Sequence, residues 1–93
     1  MDWYTSMLSF VRTVDTGSLA EAARELGVVP SAISKSLSRL EQHTGTQLLH
    51  RSTRIIAPTE SGRVFYAKAK VAVEMTQRAM GVVRRGNEVG RGD

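Results

Sequence analysis

A chain of 93 residues is long enough for one domain with a modest core but leaves little room for an enclosed active site, so a single function is expected. Thirteen Lys and Arg against nine Asp and Glu give a net charge of +4, and the lack of cysteine excludes both a disulfide framework and a thiolate metal site. The Met1-Asp2 start has no basic region followed by an apolar run, and no stretch approaches the roughly eighteen apolar residues of a membrane span, so the cytoplasm is the default location.

Charge is unevenly spread. Residues 1–30 hold two bases and four acids, residues 31–70 seven bases and two acids, and residues 71–93 four bases and three acids. A basic block in the middle of the chain points to a polyanionic partner, because neutralising phosphates releases their counterions.

Trp3 to Val14 reads as a helix with Asp2 as its cap, and Tyr4, Met7, Phe10, Val11 and Val14 form an apolar stripe at spacings of three and four. Aromatic residues at helical spacing are core before they are base-stacking platforms, so this helix is scaffold. Asp15, Thr16 and Gly17 form the loop into Ser18 and Glu21, an S-x-x-E capping box that starts a second helix at residue 18 or 19. Leu19, Ala22, Ala23 and Leu26 then recur at i, i+3, i+4 and i+7, and the two alanines permit a close helix crossing. Gly27 suits a left-handed stop, after which Val28 is expected to fall back onto the hydrophobic side.

A third helix opens at Pro30, a residue favoured in the first turn. Ile33, Leu37 and Leu40 share its inner face. Ser31, Ser34, Lys35 and Ser38 share the outer one, with Arg39 beside them. Short hydroxyl side chains and one cation let a helix backbone approach the major groove and hydrogen-bond base edges and phosphates. A serine-rich solvated face is the competing reading, and the preceding helix and glycine turn favour recognition. Glu41 to Gly45 closes this helix, with Glu41 structural and Gly45 a second left-handed stop.

From Gln47 to Pro58 the period changes. QLLHR and RIIAP are β-compatible runs separated by Ser52 and Thr53, and they read as a two-stranded wing that leans on the helices through Leu48 or Leu49 and Ile55 or Ile56. Arg51 and Arg54 at its tip have the reach for backbone phosphates or a narrow minor groove. His50 needs no role beyond the strand.

Thr59 caps a last helix from Glu60 to about Arg85. Val64, Ala67, Val71, Met75 and Val82 form one stripe, and Phe65, Ala69, Ala72, Ala79 and Val83 a second beside it. The later turns have nothing in this chain to pack against, which makes a second subunit the economical partner for Val64, Val71, Met75 and Val82. GNEVGRGD, after Arg85, is glycine-rich and expected to be a flexible tail, in which the RGD tripeptide is a chance occurrence.

In combination FVRTVDTGSLAEAARELGV, PSAISKSLSRLE and LLHRSTRIIAPTESG resemble the N-terminal DNA-binding domain of LysR-type transcriptional regulators, over about residues 3–85, and LLHRSTR is most similar to a subgroup with an LLNRTTR run. The resemblance implies a mainly α winged helix-turn-helix with a small two-stranded β wing and a long C-terminal linker helix. It divides the chain into a DNA-binding domain at 1–58, a linker and dimerisation helix at 59–85 and a flexible tail at 86–93. It also implies a homodimer on partly palindromic promoter DNA in the cytoplasm, associated with the nucleoid. Ser31, Ser34 and Lys35 match DNA-facing positions of the family's recognition helix, about residues 30–42 here, and Arg51 and Arg54 match its wing arginines. Three departures stand out: Val29 replaces a frequent hydroxyl residue, Leu49 a frequent phenylalanine and Pro58 a frequent leucine. The effector-binding domain of two α/β lobes that follows the linker in the family is not in this sequence, so a small-molecule effector would act only through a domain missing here. No membrane partner, cofactor or metal is implied.

Three other functions compete. Catalysis has little support, since His43 and His50 lie seven apart without an acidic or cysteine partner, and no phosphate loop or nucleophile elbow is present. A winged-helix protein-interaction module predicts an apolar or acidic outer face where this one is hydroxylic and basic. A nonspecific architectural DNA-binding protein would bind with no dependence on base sequence at fixed salt.

Overall fold

The computed structural model describes residues 2–52 and 56–92, with side chains described as far as residue 81. Its elements run α1 (Trp3–Thr16), α2 (Leu19–Leu26), α3 (Pro30–Thr44), β1 (Leu49–Arg51), β2 (Ile56–Pro58) and α4 (Glu60–Gly92).

Each of the first three helices ends on a glycine with left-handed φ: Gly17 at 70°, Gly27 at 69° and Gly45 at 68°. An L side chain is strained there, which is why glycine stops a helix cleanly. At its start, α1 is capped by Asp2, which accepts the Thr5 N–H at 3.2 Å and the Thr5 hydroxyl. These two bonds hold the Asp2 carboxyl below its ordinary pKa, the hydroxyl contributing most. α1 runs two residues beyond Val14 because Thr16 organises the following loop: its hydroxyl donates to the Arg12 carbonyl at 2.7 Å, and it accepts the Ser18 N–H at 3.3 Å.

The capping box of α2 is half formed. Ser18 Oγ accepts the Glu21 N–H at 3.1 Å as expected. The Glu21 carboxylate does not reach back, because it pairs with Arg24 at 3.0 Å while Thr16 takes the Ser18 N–H. After Gly27, the Val28 N–H closes α2 on the Ala23 carbonyl at 3.0 Å. Val28 does not fall back onto the core. Its side chain stays 45% exposed although the closing bond is of the kind that commonly brings this residue back onto the helix.

α1 is the central slab, packed against α2, α3 and α4. The core joins Phe10, Ala23, Ile33, Leu37, Leu40, Leu48 and Leu49, with Ile56 and Phe65 packed on it. Phe10 meets Phe65 edge-on at 5.2 Å between ring centroids. Each fully buried side chain of this size contributes roughly 1.5–3 kcal/mol by leaving water. Ser6, Ser9 and Thr13 of α1 are also buried, though hydrophobic periodicity passes over them. Thr13 satisfies its hydroxyl on the Ser9 carbonyl at 2.7 Å, so its burial leaves no unpaired donor.

The wing pairs antiparallel with Leu49 opposite Pro58, His50 opposite Ala57 and Arg51 opposite Ile56. Both Leu48 and Leu49 are buried, Leu48 from the loop before the strand and Leu49 from the strand itself. Ile55 lies outside the described residues, and Ile56 is half-buried. Thr59 then caps α4 as expected, accepting the Gly62 N–H at 2.9 Å and donating to the Gln47 carbonyl at 2.8 Å. A Cβ at Gly62 would stand 1.9 Å from the Leu48 carbonyl oxygen, so the helix can meet the wing this closely only at glycine.

Of the two α4 stripes, the one containing Phe65 and Ala69 faces the domain, extended by the buried Val73, which belongs to neither expected stripe. Val64, Val71 and Met75 face outward. The helical backbone runs from Glu60 through Gly92, past the expected end near Arg85. A helical glycine costs about 1 kcal/mol relative to alanine but keeps its N–H in the ladder, so Gly86 and Gly90 weaken a helix without barring it.

Candidate nucleic-acid interface

The outer face of α3 is held in place from behind. Ile33, Leu37 and Leu40 are buried in the core, and α2 crosses beside them through buried Ala22 and Ala23. On the other side Ser31, Lys35, Ser38 and Arg39 are exposed and Ser34 is half-buried. Positions 31, 34, 35 and 38 line one side of the helix over about 10 Å, which suits the width of a major groove. Among the described residues, Lys35 and Arg39 enter no ion pair, so both cations are available to phosphate.

The wing arginine is different. Arg51 Nη2 donates to Glu41 Oε1 at 2.9 Å. The other oxygen of Glu41 accepts the N–H groups of Leu48 and Leu49 at 2.8 and 3.2 Å. One carboxylate of α3 therefore anchors the start of the wing and tethers its arginine. Arg51 is still partly exposed, and a guanidinium has five N–H donors, so it can hold Glu41 and contact a phosphate together. The sequence marks Glu41 as structural but carries no sign of its partners, which lie seven, eight and ten residues away across a turn. Arg54 lies outside the described residues. His50 is exposed in the ladder opposite Ala57.

Trp3 is packed, not presented: its ring lies 4.5 Å from that of His43, joining the start of α1 to the last turn of α3. On the far side a polar cluster ties three helices. Arg12 binds Asp15 at 2.9 Å and Glu25 at 2.6 Å, Tyr66 donates its hydroxyl to Asp15, and Lys70 donates to the Tyr66 oxygen at 3.2 Å. The hydrogen bond to Glu25, more than the nearby charges, raises the Arg12 pKa further above its already high ordinary value. The Tyr66 hydrogen bond likewise raises that of Lys70. This cluster sets α4 against α1 and stands apart from the α3 face. Among the described residues no three His, Asp or Glu converge as metal ligands would, and no helix is long and apolar enough to cross a membrane.

Two helices around a glycine turn, the second presenting hydroxyls and cations and flanked by a short antiparallel hairpin, define a winged helix-turn-helix DNA-binding domain. Residues 5–63 match the family described as bacterial regulatory helix-turn-helix protein, lysR family. The chain belongs to that family, whose members act in transcription and not in catalysis.

Among its relatives, a probable HTH-type transcriptional regulator, LtrA of Klebsiella pneumoniae, is 42% identical over 71 residues, covering 76% of this chain and 23% of the relative. An HTH-type transcriptional repressor of Pseudomonas aeruginosa is 36% identical over 86 residues, covering 92% and 27%. The chain thus spans about a quarter of the length of these curated relatives. In solved structures, the BenM DNA-binding domain in complex with catB site 1 DNA superposes with a TM-score of 0.82 at 27% identity, covering 91% of this chain and 93% of that one. The CbnR DNA-binding domain in its DNA complex gives 0.81 at 29%, covering 94% and 99%.

Proposed function

We propose that this chain reads a partly palindromic double-stranded promoter site as the DNA-binding part of a cytoplasmic, nucleoid-associated transcriptional regulator. α3 enters the major groove with Ser31, Ser34, Lys35, Ser38 and Arg39 toward the DNA, and the wing sets Arg51 and Arg54 against phosphate or the minor groove. The observation that carries this reading is the outer face of α3, whose cations are unpaired among the described residues and which is anchored from behind by Ile33, Leu37 and Leu40. The DNA complexes of BenM and CbnR, built on the same fold, support it.

Residues 1–58 form the reading domain and 59–85 the dimerisation helix. Val64, Val71 and Met75 are 61%, 57% and 59% exposed on one side of α4, and Val82 continues their spacing. Two copies related by a two-fold axis would bury that surface and read inverted half-sites. Any small-molecule effector would act through a further domain joined to this helix.

Selection of binding sites from randomised DNA by the purified chain tests the reading. Enrichment of an inverted repeat is expected. Binding that enriches no sequence at fixed salt would make the protein an architectural binder instead.

A further inference from the structure

The turn into α3 breaks a local rule, and nothing among the described residues compensates for it. Val29 is the N-cap of α3, with φ -82 and ψ 151, and makes no side-chain cap hydrogen bond. Ser, Thr, Asp or Asn would stabilise that position by accepting a first-turn N–H, which valine cannot do. Nor does the side chain serve the core, since Val29 is 62% exposed. Val28 beside it and Pro30 after it are exposed as well, so three consecutive apolar residues meet solvent at the leading end of the recognition helix. The backbone beneath them is held, by the Val28 N–H on Ala23 and by the Ala32 N–H on the Val29 carbonyl at 3.0 Å. A departure from local preference that contributes to neither helix nor core is expected at a functional position.

The patch directly precedes Ser31, the first exposed residue of the DNA-facing set, at the N-terminal end of α3. In a helix-turn-helix the N-terminal residues of the recognition helix reach the base edges. Of all the groups displayed in the major groove, the apolar one is the C5-methyl of thymine. We infer that Val29 is a specificity-determining residue that packs against a thymine methyl group, next to the polar contacts of Ser31 and Ser34. The inference rests on the DNA-reading function above and deepens it: correct sequence removes Val29 and the methyl from water together, and a cytosine at that position offers a bare C5–H.

The test uses the whole chain and the site enriched from randomised DNA. Each thymine of the site is replaced in turn by uracil, which lacks only the methyl. Wild type is expected to lose about fourfold in affinity at one thymine per half-site, the effect of uncovering one methyl group. Val29→Ser should bind the thymine and uracil sites equally while melting a few degrees higher, because serine supplies the missing cap. Val29→Ala, which adds no cap, should also lose the methyl preference, and Val29→Ile should retain it. Opposite movement of stability and discrimination in Val29→Ser separates base reading from a structural role. A uracil penalty that is equal in wild type and Val29→Ser, or that appears at no thymine, overturns the inference while the DNA-reading function stands. Failure to enrich any site in the selection step removes that function and this inference with it.

Discussion

The Arg51 guanidinium in β1 donates a 2.9 Å hydrogen bond to Glu41 in α3, and the same carboxylate receives the N–H groups of Leu48 and Leu49. The wing is thereby referenced to the recognition helix at the segment where it leaves the core. Glu41→Ala would orphan two N–H groups of a partly buried segment and free the arginine. A loss of about 2 kcal/mol in urea unfolding is expected, with Glu41→Gln losing less because its amide oxygen still accepts. Equal stability for wild type and Glu41→Ala would show that the wing is held by Leu48 and Leu49 alone.

Helix and wing should divide specificity and affinity between them. Lys35→Ala or Ser34→Ala is expected to relax preference at particular base pairs, by about 1–3 kcal/mol against the wrong base where the contact is direct. Arg51→Ala should instead weaken all sequences together and lower the slope of log K against log salt by about one. Affinities measured over a panel of single-base variants at several salt concentrations separate the two. A Lys35→Ala protein with every base preference intact would contradict the division.

Gly62 sits where α4 passes the Leu48 carbonyl, and an added Cβ would meet that oxygen at 1.9 Å. Alanine is better than glycine in a helix by about 1 kcal/mol, yet here the obstacle is backbone that cannot rotate away. Gly62→Ala should therefore destabilise by about 3 kcal/mol, at the upper end of overpacking costs. Chemical denaturation gives the sign directly, and a stabilised Gly62→Ala would refute the close approach.

The outward stripe of α4 predicts a dimer. Val71→Glu or Met75→Glu would place a carboxylate in or near the seam, where burial without a partner is costly. Both variants should shift toward monomer in sedimentation at micromolar concentration and bind a full site far more weakly, while half-site contacts and the fold of residues 1–58 persist. A wild-type chain that stays monomeric both free and on a full site would rule out this use of the helix.

Much of this arrangement is local in origin and so was legible in the residues. Asp2, Ser18 and Thr59 cap helices, Gly17, Gly27 and Gly45 end them, and the period of Ile33, Leu37 and Leu40 defines the outer face of α3 by opposition. Caps and stops act within a few residues, and amphipathic period reports which side chains share a face. Period does not say which of two adjacent faces finds a partner. In α4 the stripes are similar in sequence, and packing against α1 turned Phe65, Ala69 and Val73 inward and left Val64, Val71 and Met75 outside. The same holds for Glu41 with Arg51, Tyr66 with Asp15 and Gly62 with Leu48, pairs that meet only once the helices are docked. Val28 and Val29 show the limit from the other side: hydrophobicity alone would bury them, and in the docked fold both stay at the surface.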